Sequence, residues 1–311
     1  QDALDEVEPG DTIRLAPGVY EESCQTKKDG LPDKPITIQG PSLSKRGEAI
    51  IKGDDTTNRV VQIFHDYYKM KDCTIDGKVG DNEYRDKLLY VQGKREPRDL
   101  TIDGRSFRSS IDGLVVEGMT LRNAGGECLR LRNFVTNSNI YNNLITDCGV
   151  EDYVLNPDLG NKNGEGCYIG TTPSKWEDNT VSEPDGCNWN WVHDNKFNTM
   201  GNEAIDIKEG SMYNILEHNT CLGQLDEDSG AGINIRGDYN IIRFNNIQEN
   251  KGAGVRLGGA ELDENDDQFG RNNRVYKNIL YKNENSGVKI MAPNQQFICE
   301  NTITPTEPEE E

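Results

Sequence analysis

Short alternations of apolar and polar residues recur along the chain. Cys128-Leu-Arg-Leu-Arg132, Cys167-Tyr-Ile-Gly170, Ile205-Asp-Ile-Lys208, Ile233-Asn-Ile-Arg236, Val255-Arg-Leu-Gly258 and Val288-Lys-Ile-Met291 each alternate over three or four positions. A period of two over so short a span, bounded by Gly, predicts half-buried strands and not helices. The upstream half repeats the pattern more loosely in Ile36-Thr-Ile-Gln-Gly40, Ile50-Ile-Lys-Gly53, Cys73-Thr-Ile-Asp-Gly77, Leu100-Thr-Ile-Asp-Gly104 and Leu114-Val-Val-Glu-Gly118.

A second pattern is interleaved with the first. Asn190-Trp-Val-His-Asp-Asn195, Asn214-Ile-Leu-Glu-His-Asn219, Asn240-Ile-Ile-Arg-Phe-Asn245, Asn273-Arg-Val-Tyr-Lys-Asn278 and Gln296-Phe-Ile-Cys-Glu-Asn301 share an amide at the first position, an apolar residue at the third and Asn at the last. With Asn143 as an earlier member, the closing Asn residues are spaced by 52, 24, 26, 33 and 23. That spacing describes coils of about two dozen residues with loops inserted in some of them, a solenoid period. Gly201, Gly230, Gly252 and Gly287 suit tight corners. The expectation is all-β: a right-handed parallel β-helix over 1–301 as one domain, with interior stacks of Ile, Val and Leu and a ladder of Asn side chains. Insertions fall near 147–188 and 259–272, and the Pro/Glu-rich stretch 302–311 reads as a frayed tail or linker.

Composition narrows the function. The formal charge is −20, from 34 Lys and Arg against 54 Asp and Glu, which disfavours nucleic acid as a partner. No apolar run approaches the ~20 residues of a membrane helix. Eight cysteines occur without a CxxC pair, so zinc is not indicated and disulfides in a secreted, extracellular protein are. The polar start at Gln1 fits a mature secreted chain. Cys128–Cys148 and Cys167–Cys187, each 20 residues apart, are the expected pairs.

Register converts the strands into a face. If Ile205 and Ile207 point inward, Asp206 and Lys208 point outward, followed on later coils by Asn234 and Arg236, Arg256 and Lys289; Arg130 and Arg132 come upstream. Of the three His residues, only His218 falls near this face. So many cations on one face of an acidic chain suggest a groove for an acidic polysaccharide. Crowding by Arg236 would lower the pKa of Lys208 toward that of a usable base.

Pro9-Gly-Asp-Thr-Ile-Arg-Leu-Ala-Pro-Gly-Val-Tyr20 with Pro35-Ile-Thr-Ile-Gln-Gly40 resembles the opening cap and first coil of many β-helix polysaccharide lyases and uronan epimerases. Glu203-Ala-Ile-Asp-Ile-Lys208, followed one coil later by Ile235-Arg-Gly237, resembles the chondroitinase B and alginate lyase family. The resemblance implies a pectate-lyase-like solenoid with Glu203 as a calcium ligand, Lys208 as the base, and Arg236 as the acid or charge stabiliser. Asp206 would join Glu203 in holding Ca2+, and Arg130, Arg132, Arg256, Lys289 and His218 would contact substrate. The family carries a second Glu two residues before the first, where this chain has Gly201.

Three functions follow. The first is a secreted lyase that cleaves a uronate-containing acidic polysaccharide by β-elimination. The second is a non-catalytic β-helix that binds polysaccharide or joins an extracellular assembly. The third is a glycoside hydrolase, which needs paired carboxylates such as Asp226 and Asp228 or Asp266 and Asp267.

Overall fold

The computed structural model describes residues 1–102, 104–158, 162–227, 230–259 and 269–306. Three long parallel sheets run the length of the molecule, with ten, ten and nine strands. Each coil adds one short strand to each sheet in turn, which makes the chain a right-handed parallel β-helix. The first sheet runs from Thr12–Arg14 to Phe297–Cys299, the second from Gly18–Tyr20 to Thr302–Thr304, and the third from Cys24–Gln25 to Ser286–Ile290. The solenoid therefore continues to Thr304, past the boundary expected at 301, while 307–311 lie outside the described residues.

Register places the apolar positions in interior stacks. The third position of the repeat, Val192, Leu216, Ile242, Val275 and Ile298, forms one row in the first sheet. Ile145, Phe197, Cys221, Ile247 and Leu280 form a row in the second, and Leu129, Cys167, Ile205, Ile233 and Val255 one in the third. Most of these side chains are fully buried, each stabilising the fold by about 1.5–3 kcal/mol relative to exposure. The one α-helix among the described residues, Asp2–Glu6, lays Leu4 and Val7 against the first coils. Among the described residues no helix is long and apolar enough to cross a membrane.

The Asn ladder forms as expected. Asn219 Oδ1 accepts from the backbone N–H of Asn195 at 3.1 Å, and its Nδ2 donates to the Val192 carbonyl at 2.9 Å and to Asn245 Oδ1 at 3.0 Å. The pattern repeats from Asn143 to Asn301. The opening amides build a parallel ladder, Asn190, Asn214, Asn240 and Asn273, which ends on Gln295 and not on Gln296. The residue before each closing Asn is left-handed: Asp194, His218, Phe244, Lys277 and Glu300 all have φ between 53° and 57°. Such φ values are uncommon for residues with a Cβ, and the amide bonds hold them in place.

One expected disulfide forms, Cys128–Cys148, with Cα atoms 5.7 Å apart. Cys167 and Cys187 correct the other expectation, since both are free and buried. Cys167 stacks inside the third sheet between Leu129 and Ile205, whereas the Cys187 thiol donates to Asp185 Oδ1 at 3.3 Å. Equal spacing in sequence does not bring them together.

Candidate active site

The outward positions of the third sheet form two columns. Arg130, Tyr168, Asp206, Asn234, Arg256 and Lys289 stand one above another in register. Two residues on come Arg132, Gly170, Lys208 and Arg236. The Arg236 N–H donates to the Ile207 carbonyl at 2.7 Å and the Lys208 N–H to that of Ile169 at 2.8 Å, which makes Lys208 and Arg236 neighbours on adjacent coils. Arg256 and Lys289 thus belong to the Asp206 column.

These side chains point away from the core yet are shielded from water. Lys208 is only 6% exposed and Asp206 1%, because loops rise on both sides of the sheet to make a cleft of about 1100 Å³. Arg130, Tyr168, Asp206, Lys208 and Arg236 line it, with Lys162 and Lys175 contributed by the loops. His218 does not line it; it sits at a corner after the first sheet, stacked on Phe244 at 5.2 Å. Arg132 is held by the neighbouring loop, at 2.9 Å from Asn179 Oδ1 and 3.8 Å from Asp178. Of the carboxylates weighed for hydrolysis, Asp226 lines the cleft, while Asp228, Asp266 and Asp267 lie outside the described residues.

Beside the columns runs a row of acids. Cys128 N–H donates to the Glu165 carbonyl and Gly166 N–H to that of Glu203, so Glu127, Glu165 and Glu203 follow one another on three coils. Glu127 is neutralised by Lys87 at 2.8 Å and Arg130 at 2.9 Å, and these cations outweigh burial to lower its pKa. Glu165, Glu203 and Asp206 instead bring carboxylate oxygens within 4.8 Å of one another. Burial, reinforced by neighbouring carboxylates, pushes Glu165 up to about 7 and Glu203 up to about 8. Asp206 Oδ1 and Asn234 Oδ1 are buried without a hydrogen-bond partner. Two carboxyls pushed toward neutrality and orphaned oxygens beside them fit a divalent cation.

Glu165 was missed in the sequence, although it precedes Cys167-Tyr-Ile as Glu203 precedes Ile205-Asp-Ile. The site draws its second Glu from the preceding coil and not from position 201. A Cβ on Gly201 would lie 2.2 Å from the Cys148 carbonyl oxygen, which bars any side chain there.

The electrostatics of Lys208 also differ from expectation. Burial lowers its pKa and Arg236 adds to that, but Asp206, with Oδ2 2.6 Å from Nζ, and Tyr168 outweigh both, so the net shift is upward. Arg236 is likewise held charged: Asp206 and Glu209 overcome its burial. Tyr168, also missed in the sequence, lies between two cations, with Arg130 Cζ 3.5 Å and Lys208 Nζ 4.6 Å from its ring centroid.

No protein-family model and no curated protein matches the chain. Solved structures do. An alginate lyase from Paenibacillus sp. str. FPU-7 superposes with a TM-score of 0.67 at 17% identity, over 98% of this chain and 94% of that one. Pectate lyase Pel9A does so at 0.58 and 11%, over 96% and 73%, and a DFA-IIIase from Arthrobacter chlorophenolicus at 0.51 and 12%, over 97% and 76%. The chain shares the parallel β-helix fold of these structures, a fold that carries more than one activity.

Proposed function

We propose that the protein is a lyase that cleaves a uronate-containing polysaccharide by β-elimination. The observation that carries this is the juxtaposition of Lys208 and Arg236 on adjacent coils with the buried carboxylates Glu165, Glu203 and Asp206 in one cleft.

In β-elimination the C5 proton of a uronate is removed, a C4–C5 double bond forms and the C4–O4 bond breaks. Lys208 Nζ, in its neutral form after giving its proton to solvent, takes the C5 proton. Arg236 stays charged and therefore grips the carboxylate instead of donating a proton. The Tyr168 hydroxyl, within the same cluster, supplies the proton to O4 as it leaves, and solvent then returns Lys208 and Tyr168 to their starting states. Glu165, Glu203 and Asp206 would hold a Ca2+ ion, which when bound would neutralise the uronate carboxylate and offset the pull of Asp206 on Lys208.

Cations on the floor and walls of a cleft in a chain of net charge −20 support an acidic polysaccharide as partner, and the Cys128–Cys148 disulfide supports an oxidising, extracellular compartment. One observation favours the non-catalytic alternative: Asp206 holds Lys208 protonated. Incubation with alginate, pectate, chondroitin and glucuronan, with Ca2+ or chelator, separates the two. A lyase yields ultraviolet-absorbing unsaturated products, and a binding module yields none.

A further inference from the structure

Upstream of the cleft the third sheet carries cations that the sequence pattern did not single out. Tyr90 is the register neighbour of Arg130 and Gln62 that of Tyr90, so this surface is continuous with the floor of the cleft. Arg59 stands over Tyr90, its Cζ 3.8 Å from the ring centroid, and Lys94 Nζ stands 4.9 Å from that of Phe64. Burial first, then the charges of Arg59 and Arg132, lower the pKa of Lys94, so the three cations feel one another.

Acids are plentiful in this chain, and nearby cations use them. Arg95 and Arg98 both bind Asp66, and Arg122 binds Asp76. Arg59 and Lys94 instead stand over aromatic rings and form no ion pair among the described residues. A guanidinium stacked on a ring uses only its face, leaving its in-plane N–H donors free to fork a carboxylate. The cleft uses the same device, with Arg130 stacked on Tyr168.

We propose that Arg59 and Lys94, standing over Tyr90 and Phe64, form a remote subsite for a carboxylate of a polyuronate chain. Tyr90 lies three strands and Arg59 four strands upstream of the Lys208 coil in the order of the third sheet, about 14 to 19 Å at ~4.8 Å per step. It rests on the reading of the cleft as a polyuronate site and adds to it that the polymer runs along the solenoid axis toward the N-terminal coils. Long chains then gain an anchor that a short oligomer bound at Lys208 cannot reach, and cleavage falls within the chain and not at its tip.

The test is native gel electrophoresis of wild type, the Arg59→Gln/Lys94→Gln double variant, Lys94→Glu and Lys208→Ala in gels containing alginate, pectate, glucuronan or neutral dextran. Melting temperatures report folding, and Lys94→Glu alters a residue that is exposed. Wild type and Lys208→Ala should be retarded by at least one polyuronate and not by dextran. The double variant and Lys94→Glu should bind that polymer at least about fivefold more weakly while binding its trisaccharide as wild type does. Equal retardation of wild type and both subsite variants overturns the proposal, as does a wild type that no polyuronate retards. Loss of retardation in the subsite variants, from a wild type that releases no unsaturated product, would leave the subsite standing and remove the lyase assignment.

Discussion

Glu165 and Glu203 occupy the same position on successive coils, with Gly166 N–H donating to the Glu203 carbonyl at 2.8 Å. A parallel sheet thus brings two buried carboxyls, 4% exposed each, one rung apart beside Asp206. Their repulsion is tolerable when they are protonated or share a cation, and stability follows from that.

An unfolded Glu releases its proton near pH 4.3, whereas folded Glu165 and Glu203 hold theirs to about 7 and about 8. Between these limits the folded state carries protons that the unfolded state has lost. Their stabilising contribution is therefore fully present below about pH 4.3 and disappears as pH rises through 7 to 8. In chelator, the melting temperature should be lower at alkaline than at mildly acidic pH. Added Ca2+ should restore it at the alkaline end, and Glu203→Gln should flatten the slope. A chelated protein whose melting temperature is unchanged by both pH and Ca2+ would contradict the site.

Gly201 should tolerate no side chain. A Cβ there would meet the Cys148 carbonyl oxygen at 2.2 Å, so Gly201→Ala should destabilise by about 1–3 kcal/mol, as overpacking does, and Gly201→Glu should do so without improving Ca2+ affinity. Denaturant melts with a Ca2+ titration read both.

Asn219→Ala removes a side chain that bonds to coils on either side. The buried Asn195 N–H and Val192 carbonyl lose their partners, at a cost of about 1–3 kcal/mol for each group left unsatisfied. Urea unfolding should register the loss. An unchanged midpoint would mean that water or a neighbour replaces the amide.

Tyr168→Phe keeps the ring between Arg130 and Lys208 and deletes only the hydroxyl. On the proposed chemistry, kcat should fall about 10²-fold while KM stays close to that of wild type. Arg236→Ala should worsen both parameters, because its charge holds the carboxylate before and during the reaction. A Tyr168→Phe enzyme with unaltered kcat would move the leaving-group proton to another donor.

The architecture was legible because its determinants are local and periodic. The third-position apolar residues and the closing Asn residues each follow one coil repeat, and parallel register stacks them. Lys208 over Arg236 followed from the same count. Glu165 and Tyr168 were countable as well, but the family pattern sets the second Glu on the same coil, at 201, where the backbone of the Cys148 coil leaves no room. The charge state of Lys208 could not be read from spacing, since it depends on the 2.6 Å approach of Asp206 and on loops that exclude water. The position of His218 depends on which corner its coil turns at, and that corner faces away from the cleft.

The most direct test is the ultraviolet absorbance of unsaturated uronate product, followed for wild type and Lys208→Ala against alginate, pectate, chondroitin and glucuronan in Ca2+. Wild type should produce it from at least one polymer, and Lys208→Ala, still folded and still bound to that polymer, should be slower by about 10²–10⁴-fold. Absence of product from every polymer, or full activity in Lys208→Ala, would contradict the assignment of this cleft as a lyase site.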